Sequence, residues 1–140
     1  MALILDTGPI YALYDLTDAR HSVCRELIVA ARERLVIPSP VLVEVEHLFV
    51  RDGHAGAFLI LLNDIVRSAY RIEDLQPPDY ERARQLCDRY ADSDVGFVDA
   101  AVLAVTERLN EPKLATVDHR HFGMLRPRHV DALELLPALG

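Results

Sequence analysis

The chain has 140 residues, 51% hydrophobic and 26% charged, which suits one domain over 1–140 with a conventional core and excludes disordered and collagen-like chains. Its formal charge of -7 excludes a generally basic nucleic-acid binder, because phosphate affinity comes from clustered Lys and Arg. Cys24 and Cys87 belong to no C-x-x-C or C-x-x-H pair, so a zinc site or disulfide framework is excluded and both read as buried free thiols.

Ala2-Leu3-Ile4-Leu5 is a short apolar run that stops at Asp6-Thr7-Gly8-Pro9, where Asp or Thr caps a helix and Pro suits its first turn. The pattern over residues 19–34 predicts a helix, with Val23, Leu27, Ala30 and Ala31 spaced at three and four. Leu35-Val36-Ile37 predicts a second buried strand, and Pro38-Ser39-Pro40 a break. Val41, Val45, Leu48 and Phe49 then repeat at helical spacing up to a stop at Gly53. Residues 58–66 predict another helix, Tyr70-Arg71-Ile72 a weak strand, and Pro77-Pro78-Asp79 the start of a helix carrying Ala83, Leu86, Cys87 and Tyr90 on one face.

Residues 91–96 read as a polar loop, and residues 97–105 as a helix buried on most sides whose only charge is Asp99. Residues 113–117 predict a strand ending at Asp118, with His119 in the turn that follows, and Leu133-Glu134-Leu135-Leu136 a last short strand. Strands alternating with helices predict an α/β domain: a mainly parallel sheet of about four to five strands, with helices on both faces. Apolar runs such as residues 57–62 fall short of the roughly 20 residues that span a bilayer, and the first five residues lack a basic flank. A soluble, cytoplasmic protein with no membrane attachment is expected.

Ligands of such sheets sit outside the carboxyl ends of the strands, and Asp6 and Asp118 each follow an apolar strand directly. Asp99 opens a buried helix, and Glu44 stands at the margin of an apolar helical stripe, between Val41 and Leu48. Each acid alone has an ordinary reading: a cap for Asp6, a dipole partner for Asp99, a turn residue for Asp118, a solvated flank for Glu44. Gathered in one pocket they repel unless a cation offsets them, and hard ions such as Mg²⁺ or Mn²⁺ prefer oxygen ligands. Such a pocket points to metal-assisted phosphoryl chemistry.

The stretches Leu3-Ile4-Leu5-Asp6-Thr7, Glu44 in its helix, Gly96-Phe97-Val98-Asp99-Ala100 and Thr116-Val117-Asp118-His119-Arg120-His121-Phe122, in this order and spacing, resemble the PIN-domain nucleases, specifically the VapC-type ribonuclease toxins of bacterial toxin–antitoxin pairs. The resemblance implies a PIN-like domain in which Asp6, Glu44, Asp99 and Asp118 form a metal-holding, catalytic acidic quartet for Mg²⁺ or Mn²⁺. Thr7 and Thr116 match small hydroxyl positions that orient a carboxylate or water. It further implies an RNA substrate, a VapB-like antitoxin that blocks the site, and a homodimer. Gly8 departs from the Ser or other small polar residue common there.

Fourteen of the fifteen basic residues are Arg, and residues 119–129 hold Arg120, Arg126 and Arg128 with no acid; these arginines are candidates for gripping RNA phosphates. His119 and His121 read as loop residues, and Asp92 and Asp94 as solvated loop acids outside the site. A receiver-like phosphoacceptor domain and a catalytically silent PIN interaction module stay open as alternatives.

Overall fold

Why the chain begins with its central strand is visible in the pairing. β1 (Ala2–Leu5) is almost wholly apolar and is buried along its length from Leu3, as a strand flanked on both edges must be. The computed structural model describes residues 1–139. β1 feeds without a loop into α1 (Thr7–Tyr14), capped at its N-terminus by Asp6 in extended conformation, with Pro9 in the first turn.

After α2 (His21–Ala30), β2 (Arg34–Pro38) pairs in parallel with β1, Leu35 opposite Leu3 and Val36 opposite Ile4. α3 (Ser39–Arg51) and α4 (Ala55–Val66) follow, then β3 (Arg71–Glu73) beside β2. α5 (Pro77–Arg89), a single 3-10 turn at Ala91–Ser93 and α6 (Phe97–Arg108) lead to β4 (Lys113–Ala115) on the other edge of β1. α7 (His119–Met124) and β5 (Glu134–Leu136), paired with β4, complete the described residues. Among the described residues the sheet is parallel, in the order β3-β2-β1-β4-β5, and seven α-helices flank it. No helix among the described residues is long and apolar enough to cross a membrane.

The core packs Ile4, Leu5, Val36 and Leu114 of the sheet with Ile10, Val41, Phe49, Leu86 and Leu103 of the helices. Gly53 ends α3 with a φ of +76°, the left-handed turn that glycine adopts without strain. Cys24 is buried and Cys87 only half-buried, both as free thiols.

Four elements differ from the sequence reading. α2 stops at Ala30, short of residue 34, because Arg34 and Leu35 are claimed by pairing with β1. Pro38-Ser39-Pro40 is no break: β2 runs through Pro38 and α3 starts at Ser39, with a proline in its first turn. β4 ends at Ala115 instead of Val117, and residues 119–124 form α7 rather than a turn. The cause of the last is Asp118, whose carboxylate accepts the His121 backbone N–H at 3.1 Å and so caps a helix.

Since β2 and β3 lie on one side of β1 and β4 and β5 on the other, the strand order reverses between β1 and β4. The carboxyl ends of these two strands border the crevice where parallel sheets hold ligands.

Candidate active site

Asp6 leaves β1 at this crevice, 5% exposed. Its carboxylate makes no capping bond to α1; instead Oδ2 accepts the Thr116 hydroxyl at 2.8 Å. Thr116 is itself fully buried, and its Oγ1 also accepts the backbone N–H of Asp118 at 3.0 Å. One hydroxyl therefore ties the acid after β1 to the acid after β4.

Burial pushes the Asp6 carboxyl up to about 7. The Thr7 amide and the Thr116 hydroxyl oppose the rise, while the negative charges of Asp99 and Glu44 add to it. Asp99, in the first turn of α6, is pushed up to about 6 by burial, then by the charge of Asp118; His121 counters this and Glu44 reinforces it. Glu44, half-buried on α3, thus adds negative potential at both Asp6 and Asp99. The structure brings Asp99 and Glu44 close enough to Asp6, and Asp118 and Glu44 close enough to Asp99, for their charge to disfavour the ionised forms of Asp6 and Asp99, a concentration of charge typical of functional pockets.

His121 belongs to this cluster, which the sequence reading missed. Its Nδ1 donates to Asp118 Oδ2 at 2.7 Å and lies 3.8 Å from Asp99 Oδ2. The hydrogen bond to Asp118 raises the imidazole's affinity for its proton. The signal in the sequence was the i, i+3 spacing from Asp118, which becomes informative only once α7 is recognised as a helix. His119 turns the other way, its Nε2 paired with the Thr116 carbonyl at 3.0 Å.

The hydroxyls divide. Thr116 orients a carboxylate, whereas Thr7 Oγ1 is buried with no hydrogen-bond partner among the described residues. At Gly8 an added Cβ would stand 2.2 Å from Val117 Cγ2, so the glycine is imposed by the loop after β4. Asp92 and Asp94 are exposed.

The three arginines also separate. Arg120 is exposed on α7 beside His121. Arg126 and Arg128 are anchored to α5 and α6: the Arg126 carbonyl accepts from Arg82, the Arg128 amide donates to Glu107 at 2.8 Å, and the Arg128 guanidinium pairs with Gln85.

A family model for the PIN domain matches residues 3–124. The chain belongs to the PIN domain family. This PIN domain is 27% identical over 125 residues to Ribonuclease VapC26 of Mycobacterium tuberculosis, covering 89% of this chain and 93% of that protein. Among solved structures, it superposes on M. tuberculosis VapC20, described as a sarcin-ricin loop cleaving toxin, with a TM-score of 0.77 and 22% identity over 92% of this chain and 98% of the other. It also matches VapBC2 of Rickettsia felis, solved with a DNA fragment from its promoter, with a TM-score of 0.70 and 19% identity over 98% and 100% of the two chains. These structures share the fold described above.

Proposed function

We propose that this PIN domain is a metal-dependent endoribonuclease, the toxin of a VapB–VapC type pair, acting on RNA in the cytoplasm. The observation that carries the reading is the convergence of Asp6, Glu44, Asp99 and Asp118 at the β1–β4 crevice. The likeness to VapC26 and to the VapC20 fold supports it.

The donor set fits a hard divalent cation: four carboxylates, two with pKa values raised by burial and then by neighbouring negative charge, and a buried hydroxyl on Thr7 without a partner among the described residues. Asp6, Glu44, Asp99 and Asp118 would hold Mg²⁺ or Mn²⁺. Bound there, such an ion polarises a phosphodiester and lowers the pKa of an attacking water, so that no protein nucleophile is required.

The chain's own residues position and exclude. Thr116 fixes the rotamer of Asp6 through its hydroxyl, and the same oxygen fixes the backbone at Asp118. Arg120, exposed on α7 beside His121, is the candidate for phosphates flanking the cut, whereas Arg128 is held by Glu107 in the last turn of α6, at the opposite end of that helix from Asp99. The antitoxin occupies apolar helical surface and closes the site, and two toxin copies pair as a homodimer. A receiver-like reading is disfavoured because Asp6 has no acidic neighbour in the sequence and the Lys113 ammonium is tied to Glu33.

Protein freed of antitoxin is expected to cut RNA with Mg²⁺ or Mn²⁺ and not in EDTA. Asp6→Ala and Asp99→Ala are each expected to abolish cutting in a gel assay of end-labelled RNA. Undiminished cleavage by both variants would remove the proposal.

A further inference from the structure

His121 places a nitrogen donor among the acids. Asp118 caps α7 with Oδ1 and turns Oδ2 towards the His121 ring three residues on, so the start of that helix presents an oxygen and a nitrogen on the same side. α6 brings Asp99 against the same nitrogen at 3.8 Å. One ligand atom from each of Asp99, Asp118 and His121 lies within 4.8 Å of the other two. None of the three side chains is fully buried, with 20%, 37% and 23% exposed respectively, so an ion reaches them from solvent. Asp6 lies deeper, held by Thr116.

We propose that His121 Nδ1 is itself a metal ligand, completing with Asp99 and Asp118 a nitrogen-containing subsite that favours Mn²⁺ over Mg²⁺. Ion binding displaces the Nδ1 proton that Asp118 Oδ2 accepts in the metal-free pocket; that proton leaves to solvent, the ring keeps its proton on Nε2, and Nδ1 presents its lone pair to the ion. Mg²⁺ takes oxygen ligands and keeps its waters, whereas imidazole suits borderline transition metals, so one nitrogen in an otherwise all-oxygen set shifts selectivity towards Mn²⁺. Asp99, which senses the charge of Asp118 and of Glu44, stands between this subsite and the deeper carboxylates. The inference rests on the reading of the pocket as a metal centre and adds the identity of a ligand to it.

The test is electron spin-echo spectroscopy of Mn²⁺ bound to the full-length, antitoxin-free protein, which reads nitrogen coordination directly. A nitrogen hyperfine modulation is expected in the native protein and in His119→Asn, and its loss in His121→Asn. Calorimetric titration is expected to show Mn²⁺ affinity falling at least about tenfold in His121→Asn, with Mg²⁺ affinity held within about twofold. Bound Mn²⁺ without nitrogen modulation, or modulation that survives His121→Asn, overturns the inference and leaves His121 as a hydrogen-bond partner of Asp118. Failure to bind Mn²⁺ at all overturns it too. Metal-dependent RNA cleavage without the modulation sinks only this inference, whereas nitrogen-coordinated Mn²⁺ without cleavage sinks only the ribonuclease reading.

Discussion

Thr116 shows how much one side chain carries. It is fully buried and serves two acids at once, donating to Asp6 and accepting from the Asp118 amide. Thr116→Val keeps the shape and removes both bonds, leaving a buried carboxylate and a half-buried N–H short of partners. That loss costs about 1–3 kcal/mol, read from urea unfolding, and single-turnover RNA cleavage is expected to fall by roughly 10–100-fold as Asp6 loses its fixed rotamer. Thr116→Ser restores both. Asp6 carries the opposite strain. Its folded pKa of about 7 lies above its ordinary 3.8, so between those pH values the folded protein holds more protons than the unfolded chain and stability falls as pH rises. In EDTA, Asp6→Asn is therefore expected to raise the melting temperature by a few degrees at pH 8 and hardly at all at pH 4, and with Mn²⁺ restored the variant is expected not to cleave. A melting temperature at pH 8 equal to that of the native protein would contradict the raised pKa.

At the scale of elements, the loop after β4 and the first turn of α1 fit like a key. Gly8→Ala drives a methyl to 2.2 Å from Val117 Cγ2, an overpacking expected to destabilise by about 1–3 kcal/mol. Val117→Ala opens space and should recover most of that loss; a double-mutant cycle with no coupling energy would show that the two do not meet. This fit explains what the sequence could and could not tell. Asp6 and Asp118 were legible because strand-end acids follow from an apolar run and a stop, and Asp99 because a lone charge in an apolar helix is conspicuous. Gly8 read as a missing hydroxyl, since its reason lies 109 positions further along, in a side chain that only the folded chain brings near. α7 was hidden because six residues with Arg, two His and Gly show no apolar period; its cap, Asp118, is the same residue that was assigned to the site. Likewise, the short apolar run at β2 ended the preceding helix early, a tertiary demand that helical periodicity does not register.

Over the whole molecule, the helices leave apolar surface that the core does not use. Val43 and Val50 of α3 and Leu59, Ile60 and Val66 of α4 are all more than half exposed, and the groove by the α3–α4 turn, lined by Tyr14, Leu16, Ala57 and Ile60, has a volume near 430 Å³. Large exposed apolar side chains gathered on two neighbouring helices mark a candidate partner surface. Leu59→Asp combined with Val66→Asp is expected to weaken capture by a VapB-like antitoxin at least tenfold, about 1.4 kcal/mol, while RNA cleavage by the free toxin stays unchanged. Surface plasmon resonance and the gel assay read the two effects separately, and unimpaired capture would move the antitoxin to another face. The α/β class and the parallel sheet were legible from the alternation of apolar strands and helical periods. The position of this surface was not, because the apolar face of α4 reads the same whether it packs inward or waits for a partner.

The order of the strands sets when the acidic pocket is assembled. The first strand made by the ribosome is the middle of the sheet, and the hydroxyl that locks its acid comes from 110 residues further on. No fragment, nascent chain or locally opened form that has lost the β1–β4 pairing possesses the proposed metal centre. Assembly of that centre is thereby all-or-none, and a nick between these two strands that lets them part removes it.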